Sequence, residues 1–156
     1  MTVPRLEQFR GCLIGQCLGD AIGCRVEGYS PEVCQNFVRS QVRRKKIRDR
    51  DRFGLPFGQY TDDSQLAREL LQSYVACGEF DPSDYATRIA DIFAQQRIVG
   101  RGRSTEEAAN RLIRGVAWQE AGNPGPNAGN GSAMRAGSIG LIFYDDQETG
   151  TQAPSF

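Results

Sequence analysis

Apolar residues recur three and four residues apart through most of the chain, and this spacing predicts helices. Residues that favour helix starts precede most of these segments, and glycines follow several of them. Sustained period-two alternation is nearly absent, so we predict an all-α fold without strands. The expected helices begin at about Leu6, Ser30, Asp62, Asp81, Ser104 and Ser132, and the fifth is expected to run toward Ala121.

The first predicted helix carries a glycine at every fourth position, at Gly11, Gly15, Gly19 and Gly23. Each glycine costs about 1 kcal/mol in a helix interior, so four of them require a compensating reason. A stripe without side chains lets another helix, or a ligand, approach the backbone closely. We expect close helix packing here and keep ligand approach as the alternative.

Composition narrows the chemistry that the chain can perform. Its 156 residues, 39% hydrophobic and 24% charged, suit one domain with a substantial core. The chain has no histidine, which excludes a Ser-His-Asp or Cys-His hydrolase. Because it also lacks C-x-x-C spacing, a zinc site is not expected. Five cysteines favour reduced thiols in a cytoplasmic protein. No apolar run approaches the roughly 18 residues of a membrane span. Acid–base work then falls to carboxylates.

A hydroxyl and two adjacent carboxylates, Thr61, Asp62 and Asp63, stand at the predicted start of the third helix. Thr61 or Asp62 suits the cap position, and Asp62 with Gln65 has the spacing of a capping box. Three oxygen donors exceed what a cap needs, however, and they suit a divalent Mg²⁺ or Mn²⁺. Both interpretations stay open on these residues alone.

A second stretch, residues 122–136, reads GNPGPNAGNGSAMRA and opens the last predicted helix. Free backbone N–H groups at a helix start form a cradle for a phosphate or pyrophosphate, with Arg135 available to assist. The stretch lacks the Walker and Rossmann spacings, so an ordinary turn is the alternative.

Residues 39–52 hold eight basic and two acidic side chains, so this segment carries a formal charge of +6 and the remainder −6. A solvated surface is the simpler interpretation, and a surface for a polyanion or an acidic protein is the alternative. No aromatic residue lies within the run to stack a base, and the whole chain has zero net charge. We therefore expect no nucleic-acid partner for the domain as a whole.

Three motifs together resemble the ADP-ribosylglycohydrolase family, which includes the enzymes that remove ADP-ribose from modified dinitrogenase reductase. They are GQCLGDAIG at 15–23, YTDDS at 60–64 and GNGSAMR at 129–135. The resemblance implies an orthogonal helical bundle with a two-metal Mg²⁺ or Mn²⁺ centre. It also implies hydrolysis of the bond between ADP-ribose and a protein side chain or a related compound.

The resemblance also implies roles for individual residues. Thr61, Asp62 and Asp63 match metal ligands, Asp62 and Glu27 match catalytic acids, and Asp20 matches a supporting acid. The match to the ADP-ribose-binding loop covers Gly129, Asn130, Gly131, Ser132, Met134 and Arg135.

Members of this family are longer, and their C-terminal part supplies the other metal ligands. We therefore expect residues 1–144 to be the N-terminal half of such a domain, apparently truncated or completed by another polypeptide, with at most a partial metal site. Residues 145–156 are polar and are expected to be disordered. Apolar helix faces that the second half normally covers are expected to be exposed.

Three functions remain open at this stage. The first is a hydrolase acting on ADP-ribosylated protein once the second half is supplied. The second is a catalytically inactive chain that binds ADP-ribose or a metal. The third is an interaction module for polyanions or proteins that works through residues 39–52.

Overall fold

The computed structural model describes residues 3–51, 53–125 and 129–145, and these are almost entirely helices and turns. The helices are α1 (Leu6–Gly23), α2 (Pro31–Phe37), α3 (Asp62–Cys77), α4 (Pro82–Ala94), α5 (Arg103–Ile113), α6 (Trp118–Ala121) and α7 (Ala136–Ile142). A π-helical turn, Val38–Val42, follows α2, and a 3₁₀ turn, Ala133–Arg135, precedes α7. Within the described ranges the only extended pairing is an isolated bridge between Arg50 and Pro56. The all-α prediction is confirmed.

The core lies where α4 packs against both α3 and α5, and the 3₁₀ turn closes one side of it. Tyr85 of α4 is fully buried, and its hydroxyl donates a hydrogen bond of 3.1 Å to the backbone oxygen of Leu66 in α3. The buried apolar cluster comprises Leu66, Leu70, Tyr85, Ile89, Ile92, Phe93, Ile98, Ala109 and Met134. These contacts hold the N-terminal end of α3 in a fixed position.

The predicted helix from Ser104 toward Ala121 is wrong at both its start and its length. The N-cap residue is Gly102 and not Ser104, and the Glu107 side chain bonds to Arg103 and Asn123. Gly115 has φ +85° and ends the helix, since its N–H and that of the next residue bond back to the last turn. The chain then turns before α6.

Helix α1 lies across the surface instead of inside the bundle. Ala21 is its only buried residue, while Ile14 and Leu18 are 66% and 55% exposed. A methyl group added at any glycine of its stripe would find no atom within 4 Å. The predicted close packing is therefore absent among the described residues, whereas the expected exposure of apolar helix faces is observed.

Two further observations complete the outline. None of the helices in the described ranges is long and apolar enough to cross a bilayer. All five cysteines lie in these ranges as free thiols. Arg52, residues 126–128 and the tail from Asp146 onward lie outside the described residues, so the expectation of a disordered tail stays a prediction.

Helix α3 offers a direct test of where the core lies. Leu66→Ala empties a fully buried position, so we expect it to lower the free energy of unfolding by about 2–5 kcal/mol. Val75→Ala on the same helix changes a side chain that is 81% exposed and is expected to stay within about 0.5 kcal/mol of wild type. Urea unfolding followed by circular dichroism measures both, and similar losses would contradict this core.

Candidate active site

Three segments that are distant in sequence line one cleft of about 460 Å³. The end of α1 and the turn after it contribute Asp20 and Glu27, and the start of α3 contributes Thr61 and Asp63. Asn130 reaches the cleft from the segment that precedes the 3₁₀ turn. The structure therefore brings together residues from all three stretches that the sequence singled out.

Asp20 caps the start of α3 from the neighbouring helix. Its Oδ2 accepts hydrogen bonds from the backbone N–H of Thr61 (2.9 Å) and of Ser64 (3.1 Å). Its Oδ1 accepts the Thr61 hydroxyl at 2.7 Å. The negative charge also faces the positive end of the α3 dipole. Asp20 thus does what the sequence assigned to Thr61 or Asp62, and neither of those side chains caps the helix.

The supposed capping box of Asp62 and Gln65 is wrong, because Gln65 is turned toward the segment between α4 and α5. Its Nε2 donates to the backbone oxygen of Arg97 (2.9 Å), and its Oε1 accepts the N–H of Val99 (2.7 Å). Further along the same segment, the N–H of Gly102 donates to Asp62 Oδ2 at 3.1 Å. The sequence shows a glutamine three residues after Asp62, and its interpretation as part of a local capping box is wrong.

Gly100 allows this segment to lie directly on Thr61 and Asp62. It has φ +70°, a conformation that favours glycine, and an added Cβ would lie 2.9 Å from Cβ of Thr61. Thr61 and Asp62 are therefore held between Asp20 on one side and residues 97–102 on the other.

Asp63 faces the cleft and is linked to the other two motifs. Both of its carboxylate oxygens lie 3.2 Å from the side-chain nitrogen of Asn130. Gln16 of α1 donates to the backbone oxygen of Met134 at 2.8 Å and to that of Asp63 at 3.4 Å. Gln16 lines the cleft and was missed in the sequence, where it appeared only as a polar residue within the glycine stripe.

The residues predicted to bind the substrate divide between two cavities. Asn130 and Met134 line the main cleft. A neighbouring cavity of about 300 Å³ on the α5 side is lined by Gly129, Gly131, Ser132 and Arg135.

Arg135 is buried, and it is held there by contacts within the protein. Its Nε donates to the Tyr85 hydroxyl at 2.5 Å, and its Nη1 donates to the backbone oxygen of Gly131. The guanidinium group thus holds the glycine-rich segment through contacts within the protein, and its assistance to a bound anion stays a prediction.

The electrostatics of the two adjacent carboxylates differ from those of exposed acids. Burial, with smaller contributions from Asp63 and Glu27, raises the pKa of Asp62 to about 6, although the N–H of Gly102 opposes this. Burial also raises the pKa of Asp63, while the hydrogen bond from Asn130 opposes it. No Lys or Arg in the described ranges forms an ion pair with either carboxylate.

A divalent cation would relieve this unfavourable burial of negative charge, and the donor chemistry suits one. Because Thr61 donates its hydroxyl proton to Asp20, its oxygen lone pairs stay available to a cation. Hard oxygen donors of this kind are those that Mg²⁺ and Mn²⁺ prefer. No group of three carboxylate or thiol side chains among the described residues converges to hold a metal alone. Thr61, Asp62 and Asp63 are the residues that could hold such a cation in part.

Comparison with known proteins agrees with this geometry. A family model described as ADP-ribosylglycohydrolase matches residues 1–154. The chain belongs to the ADP-ribosylglycohydrolase family. The resemblance that the three motifs carry is thereby confirmed.

Individual ADP-ribosylglycohydrolase relatives are considerably longer than the chain. ADP-ribosylhydrolase ARH3 of Gallus gallus is 31% identical over 93% of this chain and 42% of its own length. ADP-ribosylarginine hydrolase Tri1 of Pseudomonas putida is 32% identical over 83% of this chain and 34% of its own. An uncharacterized protein of Archaeoglobus fulgidus is 33% identical over 88% and 44%. The chain thus spans less than half the length of these relatives.

The contact at Gly100 leads to a prediction about this ADP-ribosylglycohydrolase site. Gly100→Ala introduces both a positive-φ penalty and a clash with Thr61, and we expect a loss of about 2–5 kcal/mol in unfolding free energy. Gly78→Ala has the same backbone penalty at φ +77° but no atom within 4 Å, so it should lose only about 1–2 kcal/mol. Equal losses in denaturant unfolding would show that the contact does not constrain Thr61.

The raised pKa of Asp62 predicts a pH-dependent effect on stability. Its folded-state pKa of about 6 lies above the unfolded value, so metal-free wild type loses stability as the pH rises from about 4 to about 6. Asp62→Asn keeps an acceptor for Gly102 without the charge. We expect the variant to be more stable than wild type by about 1–2 kcal/mol at neutral pH and equally stable near pH 4.

Thermal unfolding of the metal-free protein across this pH range measures the difference. Asp91→Asn on the exposed side of α4 is the matched control and is expected to leave the pH profile unchanged. A difference between wild type and Asp62→Asn that does not vary with pH would contradict the prediction.

Proposed function

We propose that the protein takes part in hydrolysis of the glycosidic bond between ADP-ribose and a protein side chain or a related ADP-ribosyl compound. The observation that carries this is the convergence of Asp20, Glu27, Thr61, Asp63 and Asn130 on one cleft, in a chain of the ADP-ribosylglycohydrolase family. The names of relatives support it, since two of them are an ADP-ribosylhydrolase and an ADP-ribosylarginine hydrolase.

Thr61, Asp62 and Asp63 would hold the divalent cation that this chemistry uses. When bound, such a cation polarises the ribose hydroxyls or an attacking water. Glu27 lies on the turn after α1 at the edge of the cleft, where a carboxylate oxygen is placed to accept a proton from water or return one to the leaving group. Asn130 holds the Asp63 carboxylate in position, and the backbone around Gly129–Ser132 suits the phosphates. The water oxygen bonds to the anomeric carbon of the ribose as the bond from that carbon to the protein side chain breaks, and a proton from the water ends on the departing side chain.

The cation itself and the completeness of its site are part of the proposal. A partial set of three oxygen donors leaves about half of an octahedral shell to water, substrate or residues outside this set. Relatives are more than twice as long as the matched region, and we propose that sequence beyond that region supplies further ligands. Either Mg²⁺ or Mn²⁺ fits these donors.

A second candidate is binding of ADP-ribose or a metal without turnover. It is favoured by one observation, namely that no three carboxylate or thiol groups of the described residues converge on a metal position. The cleft and the glycine-rich segment are present in either case. Turnover therefore separates the two candidates.

We expect Mg²⁺ or Mn²⁺ to raise the melting temperature of wild type, because a cation that binds only the folded state at about 100 times its Kd adds about 2.7 kcal/mol. Asp62→Asn and Asp63→Asn should lose this shift, whereas the control Asp91→Asn should keep it. Calorimetry with ADP-ribose and a release assay with an ADP-ribosylated protein then test binding and turnover.

The outcomes of these measurements assign the function. Metal-dependent release of ADP-ribose that Asp62→Asn abolishes supports the hydrolase. Binding of ADP-ribose without release at any metal concentration selects the second candidate. Release that does not depend on a metal would overturn the mechanism. Absence of ADP-ribose binding together with absence of a metal-dependent rise in melting temperature would overturn both candidates.

A further inference from the structure

The basic segment, which we define as the described residues 39–51, concentrates basic side chains in one short stretch of the chain. All seven of its arginines and lysines are exposed. None of the seven forms an ion pair with a described residue. Asp51 accepts the N–H groups of Phe53 and Leu55 within its own turn, and the seven basic and two acidic residues of 39–51 leave a formal charge of +5. The positive charge is therefore available to a partner.

The basic segment is attached to the edge of the candidate active site. Arg25 donates from Nη1 to the backbone oxygen of Arg48 at 2.9 Å, and its guanidinium group lies 5.6 Å from the centre of the Phe57 ring. Arg25 belongs to the turn after α1, and the cleft-lining residues Cys24 and Glu27 belong to the same turn. The segment and one wall of the cleft thus form a continuous surface.

The basic segment and the adjacent cleft carry charges of opposite sign. The cleft is lined by the carboxylates of Asp20, Glu27 and Asp63, and the chain outside residues 39–52 carries a formal net charge of −6. An acidic partner is repelled by the carboxylates of the cleft and attracted by the basic segment, so local charge favours docking on the segment beside the cleft.

We propose that the basic segment is the docking surface for an acidic stretch of the ADP-ribosylated protein, which brings the modified side chain to the adjacent cleft. This rests on the proposed function, because it supplies the reason for a protein partner. A nucleic acid fits less well, since no aromatic side chain interrupts the basic residues and Arg25 lies over the Phe57 ring next to them.

A pair of labelled peptides tests this proposal directly. One carries several Asp and Glu residues, and its match carries Asn and Gln at the same positions. We expect the acidic peptide alone to bind in fluorescence anisotropy, and to bind more weakly as salt rises from about 50 to about 300 mM, because screening shortens the range of charge interactions. Neither peptide carries ADP-ribose, so this result does not depend on the catalytic site.

A charge-reversal variant locates the binding surface. Arg44→Glu combined with Lys46→Glu should weaken binding of the acidic peptide at least about tenfold, since two attractions become repulsions. Arg10→Glu combined with Arg114→Glu changes the net charge equally at exposed positions elsewhere, and it should change the affinity less than about twofold. Circular dichroism and melting temperature confirm that both variants fold.

Each remaining outcome counts for or against the proposal. Equal binding of the two peptides, or equal losses in the two variants, would overturn it. A single-stranded oligonucleotide of the same charge that binds more than tenfold tighter than the acidic peptide would also overturn it and assign the surface to nucleic acid. Calorimetry with free ADP-ribose is independent: its failure removes the proposed function and leaves the peptide result standing.

Discussion

The contact between Asp20 and the first turn of α3 is the interaction on which the candidate active site depends. One carboxylate on α1 accepts two backbone N–H groups and one hydroxyl from α3, across more than 40 positions of sequence. Ala21 is the only fully buried residue of α1, and the ring contact between Phe9 and Tyr144 lies near the other end of the helix. Charge-assisted hydrogen bonds at the positive end of a helix, which are stronger than neutral ones, are what join α1 to the bundle at this point.

Because Asp20 caps α3, the side chains of the Thr61–Asp63 motif do not have to cap their own helix. A threonine or aspartate that caps its own helix directs an oxygen at backbone N–H groups and has less to offer a ligand. Because Asp20 satisfies those N–H groups, Asp63 faces the cleft and the Thr61 oxygen retains its lone pairs. Asp62 is held on the opposite side by the N–H of Gly102. Two adjacent carboxylates therefore have different surroundings, which is typical of residues that share a site but not a role.

The sequence was sufficient to predict features that depend on local spacing, and insufficient for those that depend on tertiary contacts. Helical periodicity gave α1, α3 and α4, and Asp81 caps α4 as Asp81-Pro82 indicated. Gln65 was assigned to a local capping box because the distant N–H of Val99 cannot be read from spacing. The end of α5 at Gly115 was not predicted, because apolar residues continue at helical spacing beyond this glycine. The motifs indicated which residues meet, whereas the contacts of Gln16 and Arg135 required the fold.

The net charge of the whole chain does not show where the individual charges lie in the structure. A formal charge of zero argued against a polyanion partner for the chain as a whole, and that argument treats the charges as if they were mixed. In the structure they are separated, with exposed basic side chains on residues 39–51 and carboxylates around the cleft. Charges separated by more than about 8–10 Å are largely screened from one another at physiological salt. The basic residues 39–51 and the carboxylates of the cleft therefore each act mainly on molecules close to them. What an approaching molecule meets is therefore the local charge at the edge of the cleft, where Arg25 joins the two regions through the backbone oxygen of Arg48.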